Sequence, residues 1–145
     1  MKKEAVRKKL QVPSDLAQVQ QTSTRALDFL KPLALSEAAV FYVRLCLEEA
    51  LINAMKYGNR LQKDLPVDLD IEFDDSEVRI TIEDRGAGFD VKALEDCTHE
   101  KNLFKNRGRG VFLIHQLMDK IQYNDKGNKL LMVKFLKKEK SKVVK

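Results

Sequence analysis

The sequence predicts a two-layer α/β (α+β) sandwich: a mixed, mostly antiparallel sheet with helices on one face. Three observations predict it. Apolar residues recur at helical spacing through residues 16–30 and 37–57. Residues 67–73 and 78–82 then alternate apolar with polar, as a half-buried hairpin does. A second pair of short strand-like runs, 121–123 and 129–136, closes the chain. Hairpins place strands antiparallel and leave one apolar face for helices to cover.

Each element has its local cause. Val6 to Val12 reads as a short, mostly polar strand closed by Pro13. Ser14-Asp15 offers an N-cap, and Leu16, Val19, Ala26, Leu27 and Leu30 supply the stripe of a first helix that ends near Pro32. Ser36-Glu37 starts a longer helix, stopped by Gly58-Asn59. In the hairpin, Val67, Leu69, Ile71 and Phe73 alternate with acidic residues, Asp74-Asp75-Ser76 turns the chain, and Val78, Ile80 and Ile82 return. From Arg85 to Arg107 little periodicity survives beyond a short helical piece at 91–94, so about 89–107 reads as a lid. A third helix is expected from about Gly110 to Lys120, and Asp125-Lys126-Gly127-Asn128 turns between the last two strands.

The chain of 145 residues fits one domain, expected over 1–137, with a basic tail at 138–145. It is 43% hydrophobic and 34% charged, an ordinary globular balance. The net charge of +5 sits at the ends. Residues 1–9 hold five Lys/Arg against one Glu and residues 137–145 five Lys against one Glu, so the stretch between is net −3. A nucleic-acid reader needs its basic residues on a structured face, which argues against direct nucleic-acid binding. No apolar run approaches the roughly 20 residues of a membrane span, and the first residues lack a signal-peptide core. No membrane association and a cytoplasmic location are the default expectations. Cys46 and Cys97 lack metal-ligand spacing, Cys46 reading as a small buried hydrophobe, and His99 and His115 form no zinc motif.

Three short motifs carry chemistry. At 100° per residue Glu49, Asn53 and Lys56 fall within about 60° on one helix face. The Asn53 amide oxygen suits Mg²⁺, a hard cation, and Glu49 beside it can orient and deprotonate a hydroxyl. At the end of the hairpin, Asp84-Arg85-Gly86-Ala87-Gly88 places a carboxylate able to accept from an exocyclic amine, with Gly86 and Gly88 allowing close approach of a flat ligand. Before the third helix, Gly108 and Gly110 free backbone N–H groups for an anion, and Lys105, Arg107 and Arg109 add charge for a polyphosphate. Each motif alone is weak. Together they take four of the six glycines, with a fifth, Gly58, closing the Asn53 helix. No P-loop or Rossmann fingerprint is present.

In this order and spacing, Glu49-x-x-x-Asn53, Asp84-x-Gly86-x-Gly88 and Gly108-x-Gly110 resemble the N box and glycine boxes of the GHKL ATPase superfamily, whose members include gyrase, MutL and the histidine kinases. Residues 47–59, 84–90 and 108–119 are more similar still to its anti-sigma-factor serine-kinase branch. The resemblance runs from about residue 6 to 137. It implies a Bergerat-type ATP-binding fold with ATP and Mg²⁺ as ligands. Asn53 would hold the metal, Asp84 the adenine amine with Gly86 and Gly88 shaping that wall, and Gly108 and Gly110 would let backbone wrap the phosphates. Glu49 would be the general base facing a serine on a small antagonist protein. A sigma factor, an anti-sigma-factor antagonist and a homodimer are the implied partners. The same Glu also serves members that activate water, so a binding-only ATP switch stands as the alternative to a kinase. A detached histidine-kinase domain fits less well, since no phosphoacceptor His lies in a helix ahead of Glu49.

Overall fold

The computed structural model describes residues 5–86 and 106–136, with residues 106–109 described in the backbone only. The elements are β1 (Val6–Val12), α1 (Val19–Phe29), α2 (Glu37–Asn53), β2 (Val67–Phe73), β3 (Glu77–Glu83), α3 (Asn106–Leu117), β4 (Lys120–Tyr123) and β5 (Lys129–Phe135). The five strands form one sheet in the order β1-β2-β3-β5-β4, every neighbouring pair antiparallel. This is the α+β sandwich expected, of the Bergerat type, with the sheet wholly antiparallel among the described residues.

The register explains the layering. Leu10, Leu69, Ile82, Leu130 and Tyr123 align across the strands, and beside them Ile71, Ile80, Met132 and Ile121 form a second row. Two-residue alternation sends both rows to one face, where Leu69, Ile71, Ile80, Ile82, Leu130 and Met132 are buried. The helices supply the second layer. α2 contributes Val43, Cys46, Leu47, Ala50 and Leu51, a stripe at helical spacing. α1 adds Ala26 and is followed by buried Leu30, and its Phe29 meets Phe73 of β2 with ring centroids 5.2 Å apart. Cys46 is fully buried, and loss of water pushes its thiol up to about 11, so it acts as an apolar filler.

The opposite face is mostly polar, with Leu131 and Val133 of β5 among its apolar members. Arg7 of β1 clamps Asp70 of β2, and that hydrogen bond holds the Asp70 carboxyl below its usual range. Arg79 of β3 pairs with Glu72, Asp74 and Glu77. Such solvent-facing pairs contribute little to stability.

Helix ends follow the cap residues, with three departures from the sequence pattern. Asp15 Oδ1 accepts the Ala17 N–H at 3.1 Å, but it starts a 3₁₀ turn, Leu16–Gln18, before α1 proper. Ser36 Oγ accepts the Ala39 N–H at 3.1 Å and caps α2. The last turn of that helix widens into a π turn, Ala54–Gly58. α3 runs from Asn106 to Leu117, not from Gly110 to Lys120, because packing overrides the poor helix propensity of its glycines. Most of the segment read as a lid, including Cys97 and His99, lies outside the described residues, as does the basic tail. No described helix is long and apolar enough to cross a membrane.

The β2–β3 turn gives a stability test. Asp74 Oδ1 accepts the N–H groups of Ser76 (2.8 Å) and Glu77 (3.1 Å) and the Ser76 hydroxyl (2.9 Å). Led by the Ser76 N–H, these bonds hold the carboxyl down at about 2. A depressed carboxylate stabilises the fold above its unfolded value of about 4, and that stability is lost as pH falls through the folded value. Asp74→Ala should therefore cost about 1 kcal/mol at neutral pH. The deficit in urea unfolding should shrink as pH is lowered from about 4 towards 2; a deficit constant over that window would disprove the assignment.

Candidate functional site

The site is built around the last turns of α2 and the π turn that follows them. Glu49 and Asn53 stand one turn apart on it, where α3 crosses. A Cβ added to Gly110 of α3 would run into Glu49 Oε1 and come within 3.4 Å of Glu49 Cδ and 3.5 Å of Asn53 Nδ2. The acid and the amide thus meet the first turns of α3, where helix N–H groups lack intrahelical acceptors. Glycine here answers a need for close approach more than for a turn. Its cost in a helix, about 1 kcal/mol, is offset by keeping the Glu49 carboxylate in place.

The π turn that directly follows α2 holds the wall around Asp84. The π turn brings Gly58 against the Asp84 carboxylate so closely that a Cβ would overlap it, with Oδ1 at 2.7 Å. Gly86 packs in turn on the Gly58 carbonyl, whose carbon would lie 2.8 Å from an added Cβ. Asp84 is 8% exposed, and its Oδ1 accepts the Gly86 N–H at 2.7 Å. Its backbone is tied to Asn128 twice: the Asp84 N–H donates to the Asn128 carbonyl, and Asn128 Nδ2 donates to the Asp84 carbonyl, both at 2.9 Å. Asn124 supports that strand end, its Oδ1 accepting the N–H groups of Gly127, Asn128 and Lys129 while Gly127 takes a left-handed φ of 82°.

Between the last turns of α2 and the sheet lies a cleft lined by Ala50, Asn53 and Ala54 on the helix side and Ile82, Asp84, Tyr123 and Asn128 on the sheet side. Apolar walls with a few converging polar groups suit a flat, hydrogen-bonding ligand. The cleft thus joins Asn53 to Asp84, residues 31 apart in sequence. Lys56 is exposed on the π turn with its ammonium 5.5 Å from the Tyr57 ring centre, and it is not among the residues lining the cleft. Arg107, Gly108 and Arg109 belong to the first turn of α3. Gly88 and Lys105 lie outside the described residues. Arg85 turns its guanidinium away to Asp68 at 2.6 Å, which lowers the Asp68 pKa, so only its backbone faces the wall.

Sequence reasoning missed Tyr123, Asn128 and Asn59. Asn59 is 1% exposed and bonds Ser14, Leu65, Pro66 and the Arg85 N–H. Asn after Gly, or inside a turn, reads as punctuation, and nothing in the local pattern distinguishes a buried one.

The donor set fits Mg²⁺ carried on phosphates. Asn53 offers a hard oxygen ligand, and no cluster of three or more His, Cys, Asp or Glu among the described residues forms an all-protein metal cage. The cradle fits a nucleotide as well, since glycine is required at both ends of the cleft where backbone comes closest.

Comparison with known proteins agrees with this geometry. Serine-protein kinase RsbW of Staphylococcus epidermidis is 30% identical over 104 residues, which cover 66% of this chain and 65% of the relative. The same protein from two named strains of that species matches to the same extent. The match thus spans just under two thirds of the length of these relatives. Residues 12–134 match the family of histidine kinase-like ATPase domains. Since that stretch takes in α2 with its π turn, the Asp84 wall and the start of α3, the chain belongs to the histidine kinase-like ATPase domain family.

Proposed function

We propose that this chain is a cytoplasmic, ATP-dependent serine-protein kinase that phosphorylates a small antagonist protein and sequesters a sigma factor. The observation that carries the reading is the convergence of Glu49 and Asn53 on Gly110 while Gly58, in the π turn just after them, packs on Asp84 and Gly86. That the RsbW relatives are serine-protein kinases by name supports the choice of serine as acceptor.

Bound Mg-ATP would supply the phosphoryl group and the divalent charge that offsets it. The work left to the protein is positioning and charge neutralisation. Asp84 accepts from the adenine amine, with Gly86 letting the base approach the backbone. The Asn53 amide oxygen ligates the cation. The N–H groups at the start of α3, with Gly108 and Gly110 between them, receive phosphate oxygens. Glu49 takes the proton of the attacking serine hydroxyl as its oxygen bonds to phosphorus and the bond to the leaving phosphate breaks.

The test is incubation with Mg-ATP and candidate antagonist proteins from the same genome, followed by mass detection of phosphoserine, with nucleotide affinity measured by calorimetry. Phosphoserine on one antagonist, together with at least tenfold weaker Mg-ATP binding in Asp84→Asn, is the expected result. Tight Mg-ATP binding without labelling of any antagonist would replace the kinase with a binding-only switch. Unchanged affinity in Asp84→Asn would overturn the pocket.

A further inference from the structure

Asn59 uses its whole side-chain amide in the interior. Oδ1 accepts the Arg85 N–H at 2.7 Å, and Nδ2 donates to Ser14 Oγ and the Leu65 carbonyl, both at 3.0 Å, and to the Pro66 carbonyl at 3.1 Å. Ser14 Oγ in turn donates to the Leu65 carbonyl at 2.7 Å. Four segments meet here: the corner after β1, the end of α2, the loop before β2 and the residue after Asp84.

The backbone around Asn59 is held to match. Its N–H donates to the Ala54 carbonyl at 2.8 Å, closing the π turn, and its carbonyl accepts the Gln62 N–H at 3.1 Å. Arg60 (φ 54°) and Leu61 (φ 58°) then sit in the left-handed region, which side chains with a Cβ disfavour. A conformation of that kind persists where the surroundings over-determine it. Of the four side-chain bonds, one alone reaches the cleft wall, that to the Arg85 N–H between Asp84 and Gly86.

We infer that Asn59 is a positioning residue for the nucleotide: through the Arg85 N–H it fixes the Asp84–Gly86 wall to the end of the helix that carries Glu49 and Asn53. Asn59 touches no ligand itself. The inference rests on the Mg-ATP reading of the cleft. It adds a residue outside the acid, amide and glycine motifs, and it separates two arms of one polar cluster. The Ser14 arm braces the fold, whereas the Arg85 arm sets the wall.

The experiment compares wild type, Asn59→Ala and Ser14→Ala at a temperature where circular dichroism shows all three folded. Both variants should lower Tm. Mg-ATP affinity should fall tenfold or more in Asn59→Ala and stay within twofold of wild type in Ser14→Ala. Hydrogen exchange at the Arg85 amide should accelerate strongly in Asn59→Ala alone. An Asn59→Ala protein that binds Mg-ATP within twofold of wild type overturns the inference, as does an equal affinity loss in both variants at equal loss of Tm. Should Asn59→Ala fail to fold, wild-type exchange decides. An Arg85 amide that is protected and slows further on adding Mg-ATP supports the inference; one exchanging at the rate of an open loop overturns it. Absence of Mg-ATP binding by the wild type is a distinct result that defeats the nucleotide reading itself.

Discussion

Glu49→Gln should lower the rate of phosphoryl transfer to an antagonist protein by about 10²–10⁴-fold, the usual contribution of a positioned general base. Mg-ATP affinity should stay within a few-fold of wild type. Gln keeps the length of the side chain and its place beside Gly110, so α2 and α3 keep their crossing. Only the ability to accept a proton is removed. In energy terms the loss is about 3–5 kcal/mol of barrier. Single-turnover transfer, monitored by phosphoserine mass with nucleotide binding measured in parallel, provides the check. Transfer at the wild-type rate would remove Glu49 from the mechanism, and equal loss of binding and rate would recast it as a ligand-holding residue.

Gly86→Ala is expected to damage binding and stability together. The new methyl would enter the space of the Gly58 carbonyl, and neither backbone can yield cheaply. Next to Gly58, the Asn59 N–H is bonded to the Ala54 carbonyl, and Gly86 is itself held by Asp84 Oδ1. Relief must come from shifting the Asp84 wall away from α2. Overpacking of this kind costs about 1–3 kcal/mol. Mg-ATP affinity should fall at least tenfold, about 1.4 kcal/mol. Urea unfolding and calorimetry measure the two losses. A variant with wild-type stability and affinity would show that the two glycines do not touch in solution.

The strands were legible because their two-residue alternation reports directly on which side is buried. Val6–Val12 and the two strands of the β2–β3 hairpin fall where the pattern places them. The helical side was less so. Gly108 and Gly110 are poor helix formers, so the pattern starts the third helix only at about Gly110, yet both lie inside α3, because the crossing with Glu49 is a tertiary requirement that no window of sequence contains. The same limit hid Asn59, whose partners Ser14 and Arg85 are 45 and 26 residues away. In the candidate site, the shared face of Glu49 and Asn53 was legible through motif spacing, since residues one turn apart lie together in any straight helix. Which of the neighbouring cations join them was not: Arg85, inside a glycine motif, spends its guanidinium on Asp68.

The π turn at Ala54–Gly58 makes the cleft depend on a residue count as well as on residue identity. Removing one residue from that turn would advance everything after it by about 100° of helix phase. Gly58 would then leave the Asp84 carboxylate, even if every remaining side chain were unchanged. Substitutions at exposed positions such as Lys56 leave this phase intact, whereas a single-codon deletion there resets it. Length within the turn is therefore the less forgiving variable, and the extra residue acts as a spacer that keeps the two halves of the protein in step.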